Sequence, residues 1–373
     1  MSITMKFLPV LLLLWAFPPL DAAGRLREFI ILNATNLTAA RNTCQSEFTD
    51  LVTVYDEQDN MELTKILRDK ILNKTSPSAW IGAYQNETHI TEKWSNGDEV
   101  TFRRITGNLS QTGCFTMKHD GSWDFLICNT PKYFMCYVQV VSQASRTYEL
   151  IKDNKNWSDA QRYCRENYTD LVSIRDETEN NEVKEAGKQS NIPFWIGLFS
   201  DSVEWFDGGQ SAYRKYSGPQ NGIFTFLFQN ESWMKSNSNN NFRPLCYKSH
   251  IHVSRDERSW EEALDYCNNN PNTSGLLRIE SEDDQIETER ELRRRRRRAI
   301  SGPVWVGLRQ SRLFGFWIWS NGLHVGPWTN WKGGSQPEHQ MSHHCGAIEK
   351  MNGEFKWTDK DCRSKFTVLC EGK

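Results

Sequence analysis

The sequence carries almost no net charge. Its 45 Lys and Arg stand against 47 Asp and Glu, a balance of −2. Binding along a phosphate backbone needs an excess of positive surface, so nucleic acid is not the expected partner. Past the first two dozen residues no apolar run approaches the roughly 18 residues that cross a bilayer. Together with a mean hydropathy of −0.67, this excludes a polytopic membrane protein. Twelve prolines and 23 glycines are too few for a collagen-like or low-complexity chain. No Gly-x-Ser-x-Gly elbow, phosphate loop or dinucleotide fingerprint occurs, and no enzyme activity is expected.

What the chain does have is ten cysteines and fifteen tryptophans in 373 residues. An even cysteine count suits five disulfides in an oxidising compartment. The N-terminus points to that compartment. Lys6 precedes an apolar run from Phe7 to Phe17, which Pro18-Pro19 ends before the small residues Ala22-Ala23-Gly24. A run this short reads as a signal peptide over residues 1–24 rather than a membrane span. The chain ends at Lys373, three residues past Cys370, so no C-terminal anchor is expected and the protein reads as secreted and extracellular. Asn-x-Ser/Thr acceptor triplets begin at Asn33, Asn36, Asn73, Asn86, Asn108, Asn156, Asn167, Asn230 and Asn272. Only one of them falls in the last third.

The chain repeats itself three times. Each copy opens with apolar residues at helical spacing that lead to Cys44, Cys164 or Cys267, and Ser158 and Ser259 are candidate caps. A short apolar run follows, such as Asp50-Leu51-Val52 or Asp170-Leu171-Val172, then an acidic turn and a second, charged helix pattern. Next come Trp80-Ile81-Gly82, Trp195-Ile196-Gly197 and Trp305-Val306-Gly307, which read as buried strands. Turn signals follow at Trp94-Ser95-Asn96-Gly97, Trp205-Phe206-Asp207-Gly208 and Trp319-Ser320-Asn321-Gly322. Trp123, Trp233 and Trp357 each stand thirteen residues before Cys136, Cys246 and Cys370. The repeated tryptophans read as core.

Copies one and three carry an inner cysteine pair, where copy two has Phe224 and Ser238. The repeat then suggests one parsimonious pairing: Cys44–Cys136, Cys114–Cys128, Cys164–Cys246, Cys267–Cys370 and Cys345–Cys362. Each copy is expected to be an α+β unit, two helices packed on small antiparallel sheets. The expected boundaries are 25–138, 147–248 and 249–373, with a linker at 139–146.

The helix ending in cysteine, the Trp-Ile-Gly strand and the closing Trp-x₁₂-Cys with its inner cysteine pair resemble the C-type lectin-like domain. The resemblance covers residues 25–373 as three tandem domains, similar in arrangement to the macrophage mannose receptor group. It implies an extracellular recognition protein that binds glycans, glycoproteins or cell-surface proteins, in some members through Ca²⁺. Sugar-binding members carry a Glu-Pro-Asn or Gln-Pro-Asp triplet in a long loop and a later Trp-Asn-Asp. Copy one has Trp123-Asp124-Phe125 at the second place and copy two has Trp233-Met234-Lys235, so neither is expected to hold the ion. Copy three comes nearer, with Gln336-Pro337-Glu338 and Trp357-Thr358-Asp359. The resemblance therefore places a ligand site at Gln336, Glu338, Thr358 and Asp359. Glu338 and Asp359 are the carboxylates for Ca²⁺, a hard ion that takes six to eight oxygens. Pro337 would be the cis proline of such a loop. His343 stands where an oxygen donor is expected, which thins the set. His339 and His343, with His344, leave Zn²⁺ binding or pH sensing open.

Arg293, Arg294, Arg295, Arg296, Arg297 and Arg298 form an unbroken run at the end of the second helix of copy three. Three readings stay open. The run is a solvated helix end that complements the macrodipole, a patch for sulfated polyanions, or a cleavage site for a basic-residue protease.

Overall fold

The computed structural model describes residues 25–70, 77–105, 111–139, 146–188, 190–218, 220–294, 300, 302–311, 314–338, 342–351 and 353–373. They form three α+β units, each with two helices on a seven-stranded sheet. The proposed signal segment lies outside the described residues. Among them no helix is long and apolar enough to cross a membrane.

The C-terminal unit shows the plan in uninterrupted chain order. Strand β15 (Ile251–Val253) leads into helix α5 (Trp260–Asn269), short strand β16 (Thr273–Leu276) and helix α6 (Glu282–Arg294). Strands β17 (Val304–Gln310), β18 (Trp317–Trp319), β19 (His343–Met351), β20 (Glu354–Asp361) and β21 (Thr367–Gly372) follow. The sheet order is β15-β21-β17-β19-β20, with β16 on β21 and β18 on β17. Helix α5 starts at a capping box, Ser259 with Glu262, and buries Trp260, Ala263 and Cys267 at successive turns of one face.

The same sheet order appears twice more, but not within single copies. The first unit takes β1 (Arg27–Ile31), α1 (Leu37–Glu47), β2 (Asp50–Leu51), α2 (Glu57–Lys70) and β3 (Ser78–Gln85) from copy one. It is completed by β11 (Val203–Trp205), β12 (Phe224–Phe228), β13 (Trp233–Ser236) and β14 (Arg243–Ser249) from copy two, in the order β1-β14-β3-β12-β13. The second unit is the intervening chain. Strands β4 (Thr91–Trp94), β5 (Gly113–Met117), β6 (Trp123–Leu126) and β7 (Lys132–Gln139) come from copy one. Strand β8 (Arg146–Lys155), helix α3 (Trp157–Asn167), β9 (Asp170–Leu171), α4 (Glu177–Gly187) and β10 (Phe194–Asp201) come from copy two. Its order is β6-β5-β10-β7-β8. Copies one and two have exchanged halves.

Two expected disulfides are corrected by this exchange. The structure has Cys44–Cys246 and Cys136–Cys164 in place of Cys44–Cys136 and Cys164–Cys246. The reason is packing. Leu37, Ala40 and Cys44 share the buried face of α1, and that face meets β14, where Cys246 lies between Ile30 and Leu51 in register. Cys164 on α3 faces Cys136 on β7 in the same way. Cys114–Cys128, Cys267–Cys370 and Cys345–Cys362 are also present. The stretch read as a linker, 139–146, instead connects β7 to its antiparallel neighbour β8 inside the second unit.

Spacing explains why the halves exchange. Trp80 to Trp94 and Trp305 to Trp319 are fourteen residues apart, but Trp195 to Trp205 is only ten. In the third unit Leu308 pairs with Trp319, and a turn around Gly315 (φ 72°) joins β17 to β18. Closing the same register in copy two would pair Leu198 with Trp205 and leave only Asp201-Ser202 as the loop. Two-residue hairpins need positive φ and favour Asn-Gly or Asp-Gly, which this pair lacks. The chain instead runs from β10 through Ser202 straight into β11, in the neighbouring unit. There Trp205 pairs with Ala83 of copy one, while Trp94 pairs with Leu198. Short, strained hinge loops favour this kind of exchange. Where the strands cross, the Asn86 amide donates to the Ser202 carbonyl (2.7 Å), and Lys93 and Arg214 both pair with Asp201.

Each unit keeps the same internal lock. The glycine of the Trp-x-Gly strand donates its N–H to the short strand's end: Gly82 to Val52, Gly197 to Val172 and Gly307 to Leu277, each at 2.8 Å. A Cβ on Gly82 or Gly197 would sit 2.9 Å from a carbonyl oxygen, so these backbones can approach only at glycine. The closing tryptophan donates to the second helix: Trp233 to Asn60 (2.7 Å), Trp123 to Asn180 (2.9 Å) and Trp357 to Gln285 (3.0 Å). The first two of these bonds cross between copies. In the first unit, which lacks the inner disulfide, Tyr84, Phe206 and Phe224 stack in its neighbourhood, and Arg41 lies over Phe206.

Candidate ligand-binding site

The candidate site of the third unit is framed by core aromatics. Trp331 and Trp357 pack at 5.5 Å and Trp317 lies 4.7 Å from Trp331. The three are buried. Lys332 N–H donates to Trp357 O, and Trp317 Nε1 reaches Pro337 O at 3.4 Å. These contacts pin the loop that displays Gln336 and Glu338 to solvent. Among the described residues no peptide bond is cis, so the expected cis Pro337 is not found.

Strand alternation separates the other two candidate residues. Thr358 is buried, and its hydroxyl faces Glu349 (3.4 Å), which Lys360 also binds at 2.7 Å. Asp359 belongs to the opposite side of the strand and meets His343 Nδ1 at 3.6 Å. Thr358 and Asp359 therefore face different neighbours. Thr358 is taken up by its own sheet, and an imidazole nitrogen rather than an oxygen stands beside Asp359. A Ca²⁺ cage needs more oxygens than Gln336, Glu338 and Asp359 bring. Among the described residues no group of three or more His, Cys, Asp or Glu is placed to hold a metal. His339 lies outside the described residues, and His344 bonds Gln310 (3.2 Å).

The equivalent positions in the other units have different chemistry. Phe125 stands in the place of Asp359 in the second unit and packs on Phe115. Lys235 stands there in the first unit, bonded to Gln85 (2.6 Å) and near Tyr216. Burial lowers the Lys235 ammonium below its ordinary value.

The arginine run divides in two. Arg293 and Arg294 are the last residues of α6 and are not an exposed patch, which corrects that reading for both. Arg293 bonds the Asn96 carbonyl (3.0 Å) and Asp98 (2.9 Å) of the second unit. Arg294 binds Glu291 (2.5 Å), approaches Asp207 of the first unit (3.4 Å) and lies over the Tyr247 ring. One turn earlier, Arg290 binds Asp56 (2.7 Å) and covers Tyr55. Burial works against the Arg290 charge, but Glu287, Asp59 and Asp56 outweigh it and raise its pKa. Arg27 of β1, itself buried, reaches Asp59 and Glu287 from the other side. So α6 clamps the third unit onto both others. Arg295, Arg296, Arg297 and Arg298 lie outside the described residues. The signal that sequence reasoning missed was a set of carboxylates, Asp98 and Asp207, at or beside the repeated turns. A cleft of about 830 Å³ lies between the units, but its walls are already matched: Lys215 with Glu57 and Glu231, Arg165 with Asp170, Arg290 with Asp56.

Two acceptor asparagines are helix caps. Asn36 and Asn156, rather than Ser158, receive the N–H of Ala39 and Asp159. Asn86 bonds Glu204. Asn33, Asn167, Asn230 and Asn272 are exposed, and Asn73 and Asn108 lie outside the described residues.

The chain matches the Lectin C-type domain over residues 33–138, 153–248 and 256–372. Among curated proteins it is similar to C-type lectin lectoxin-Lio1 of Erythrolamprus poecilogyrus, 28% identical over 128 residues, which is 34% of this chain and 74% of that protein. Lymphocyte antigen 75 of Homo sapiens is 22% identical over 247 residues, 56% of this chain and 14% of that much longer protein. Secretory phospholipase A2 receptor of Mus musculus is 27% identical over 145 residues, 39% of this chain and 9% of the receptor. Among solved structures human lithostathine covers 33% of this chain and 90% of its own, at 24% identity and a TM-score of 0.29. With its three-fold repeat, shared sheet order and domain match, the chain belongs to the C-type lectin domain family.

Proposed function

We propose that the protein is a secreted extracellular recognition protein that binds carbohydrate or glycoprotein ligands through its third unit, without requiring a Ca²⁺ cage. The observation that carries this reading is the pinned loop with Gln336 and Glu338 in solvent, in the unit whose β20 also offers Asp359 beside His343. Carboxylates and amides of this kind accept and donate hydrogen bonds to hydroxyls directly. The other two units offer Phe125 and Lys235 at the corresponding place, which supports a single site. Thr358 supports the strand from within. The exposed acceptor asparagines Asn33, Asn167, Asn230 and Asn272 support passage through a glycosylating compartment. A catalytic role has no support in the site's chemistry.

The test is a glycan array of the full protein with and without EDTA. Binding that survives EDTA and is lost in Asp359→Ala is the expected result. Binding abolished by EDTA would restore the Ca²⁺-dependent reading through Glu338 and Asp359. Retention on sulfated polyanions alone, unaffected by Asp359→Ala, would move the site to the arginine segment.

A further inference from the structure

The disulfides fall into two kinds by what surrounds them. Cys44–Cys246, Cys136–Cys164 and Cys267–Cys370 tie a first helix to a closing strand, and every one of their cysteines is buried. The inner bridges are different. Cys114–Cys128 and Cys345–Cys362 each have one buried cysteine, Cys114 or Cys345, and one that is only half-buried, Cys128 or Cys362. In thiol–disulfide exchange a thiolate must reach a sulfur of the bond, so access separates reducible bridges from inert ones.

The first unit shows how the fold closes without an inner bridge. Phe224 and Ser238 stand at its two places. Phe224 pairs with Tyr84, as Cys114 pairs with Phe199 and Cys345 with Arg309. The Ser238 carbonyl accepts the N–H of Leu37 at the start of α1 (3.0 Å). The Cys128 and Cys362 carbonyls accept those of Trp157 and Trp260 in the same way (2.9 Å each). The backbone contacts at both ends are thus made with or without the covalent bond, and opening it does not require unfolding. In the third unit the bridge lies beside the candidate site. Strands β19 and β20 pair from Met351 with Glu354 to Cys345 with Lys360, where the register shifts, and His343 pairs with Asp361 beyond the shift. Cys345–Cys362 crosses the hairpin at this shift. It holds the His343 end of β19 against β20, where the imidazole meets Asp359. The second unit has the same kind of bridge but Phe125 in the place of Asp359.

We propose that Cys345–Cys362 is a reducible switch on the candidate ligand site, opened by a dithiol reductant while the unit stays folded. One thiolate of the reductant attacks Cys362 Sγ, the S–S bond breaks, and Cys345 leaves as a thiolate. The reductant's second thiolate attacks the reductant sulfur of the mixed disulfide and releases Cys362. The two protons of the dithiol end on Cys345 and Cys362, and the reductant ends as its cyclic disulfide. With the bridge open, the His343 end of β19 comes away from β20 and Asp359 loses its imidazole neighbour. The consequence for the ligand rests on the role proposed above for Asp359; the selective opening does not.

The test is graded reduction of the full protein with dithiothreitol under native conditions, followed by iodoacetamide trapping and peptide mapping. Cys114, Cys128, Cys345 and Cys362 are expected to be labelled at about tenfold less reductant than the other six cysteines, with far-UV circular dichroism unchanged. Amide hydrogen exchange in the peptide that contains His343 and Cys345 should then speed up about tenfold. Affinity for the glycans that the oxidised protein binds should fall about tenfold and return on reoxidation. The double variant Cys345→Ser/Cys362→Ser is expected to behave as the reduced protein whether or not dithiothreitol is present. Labelling of the long bridges together with the inner ones overturns the proposal. So does circular dichroism that collapses on opening, exchange at His343 that does not change, or glycan binding that survives opening. An oxidised protein that binds no glycan overturns the function proposed above, and labelling and exchange still decide whether the bridge opens selectively.

Discussion

The exchanged halves of copies one and two can be tested through a single buried hydrogen bond. Asn60 on α2 accepts from Trp233 Nε1 at 2.7 Å and donates to Glu231 O at 3.0 Å, and both Asn60 and Trp233 are fully buried. Asn60 belongs to copy one and Trp233 to copy two. Within copy one the matching tryptophan is Trp123, which instead donates to Asn180 of copy two. Asn60→Ala removes both bonds and strands the indole N–H, at a cost of about 1–3 kcal/mol for each unsatisfied group. Trp233→Phe removes the same bond from the other end. In a double-mutant cycle the two substitutions should therefore couple by about 1–2 kcal/mol. Asn60→Ala with Trp123→Phe should add within ~0.5 kcal/mol, because the two residues share no partner. Urea unfolding followed by far-UV circular dichroism, which does not depend on the substituted fluorophores, reads both cycles. Coupling of Asn60 to Trp123 rather than to Trp233 would refute the exchange.

Further outcomes follow from the same contacts. Inserting four residues containing Asn-Gly between Asp201 and Ser202 restores the fourteen-residue spacing. Peptide mapping should then find Cys44 joined to Cys136, and an unchanged Cys44–Cys246 bond would reject the short-loop explanation. Asp98→Asn leaves the Arg293 guanidinium short of one carboxylate and should destabilise the three-unit assembly by about 3 kcal/mol; a change within ~0.5 kcal/mol in thermal or urea unfolding would show the clamp to be idle. Acid should loosen the strand crossing. Burial alone would raise the Asp201 pKa, but Arg214 and Lys93 hold it below its ordinary value. A carboxylate depressed in the folded state adds stability above the unfolded value of about 3.9, and that stability is lost as pH falls through the lower folded value. Asp201→Asn should therefore flatten the acid limb of the stability profile, and an unaltered limb would place the sensitivity elsewhere.

The units themselves were legible in the sequence, and their assembly was not. The spacing of Leu37, Ala40 and Cys44, the Trp-x-Gly strands and the Trp-x₁₂-Cys endings each report a local requirement of burial or close approach, and each is met in the structure. Such spacing cannot say which copy supplies the other half of a sheet, because the halves are interchangeable by the very similarity that reveals the repeat. The one discriminating signal was a difference in length, ten residues against fourteen between Trp195 and Trp205. Arg293 and Arg294 misled for a related reason. Within a run of like charges they read as a solvated surface, but the partners of these two, Asp98 and Asp207, lie on other copies. In the candidate site, loop and strand residues were singled out by resemblance alone, and the direction of Thr358 depends on strand alternation against β19, which the triplet does not reveal.

The most direct test of the account is disulfide mapping of the intact, non-reduced protein by proteolysis and mass spectrometry. The exchanged arrangement predicts peptides joining Cys44 to Cys246 and Cys136 to Cys164. Peptides joining Cys44 to Cys136 and Cys164 to Cys246 would contradict it and return the first two copies to separate, consecutive domains.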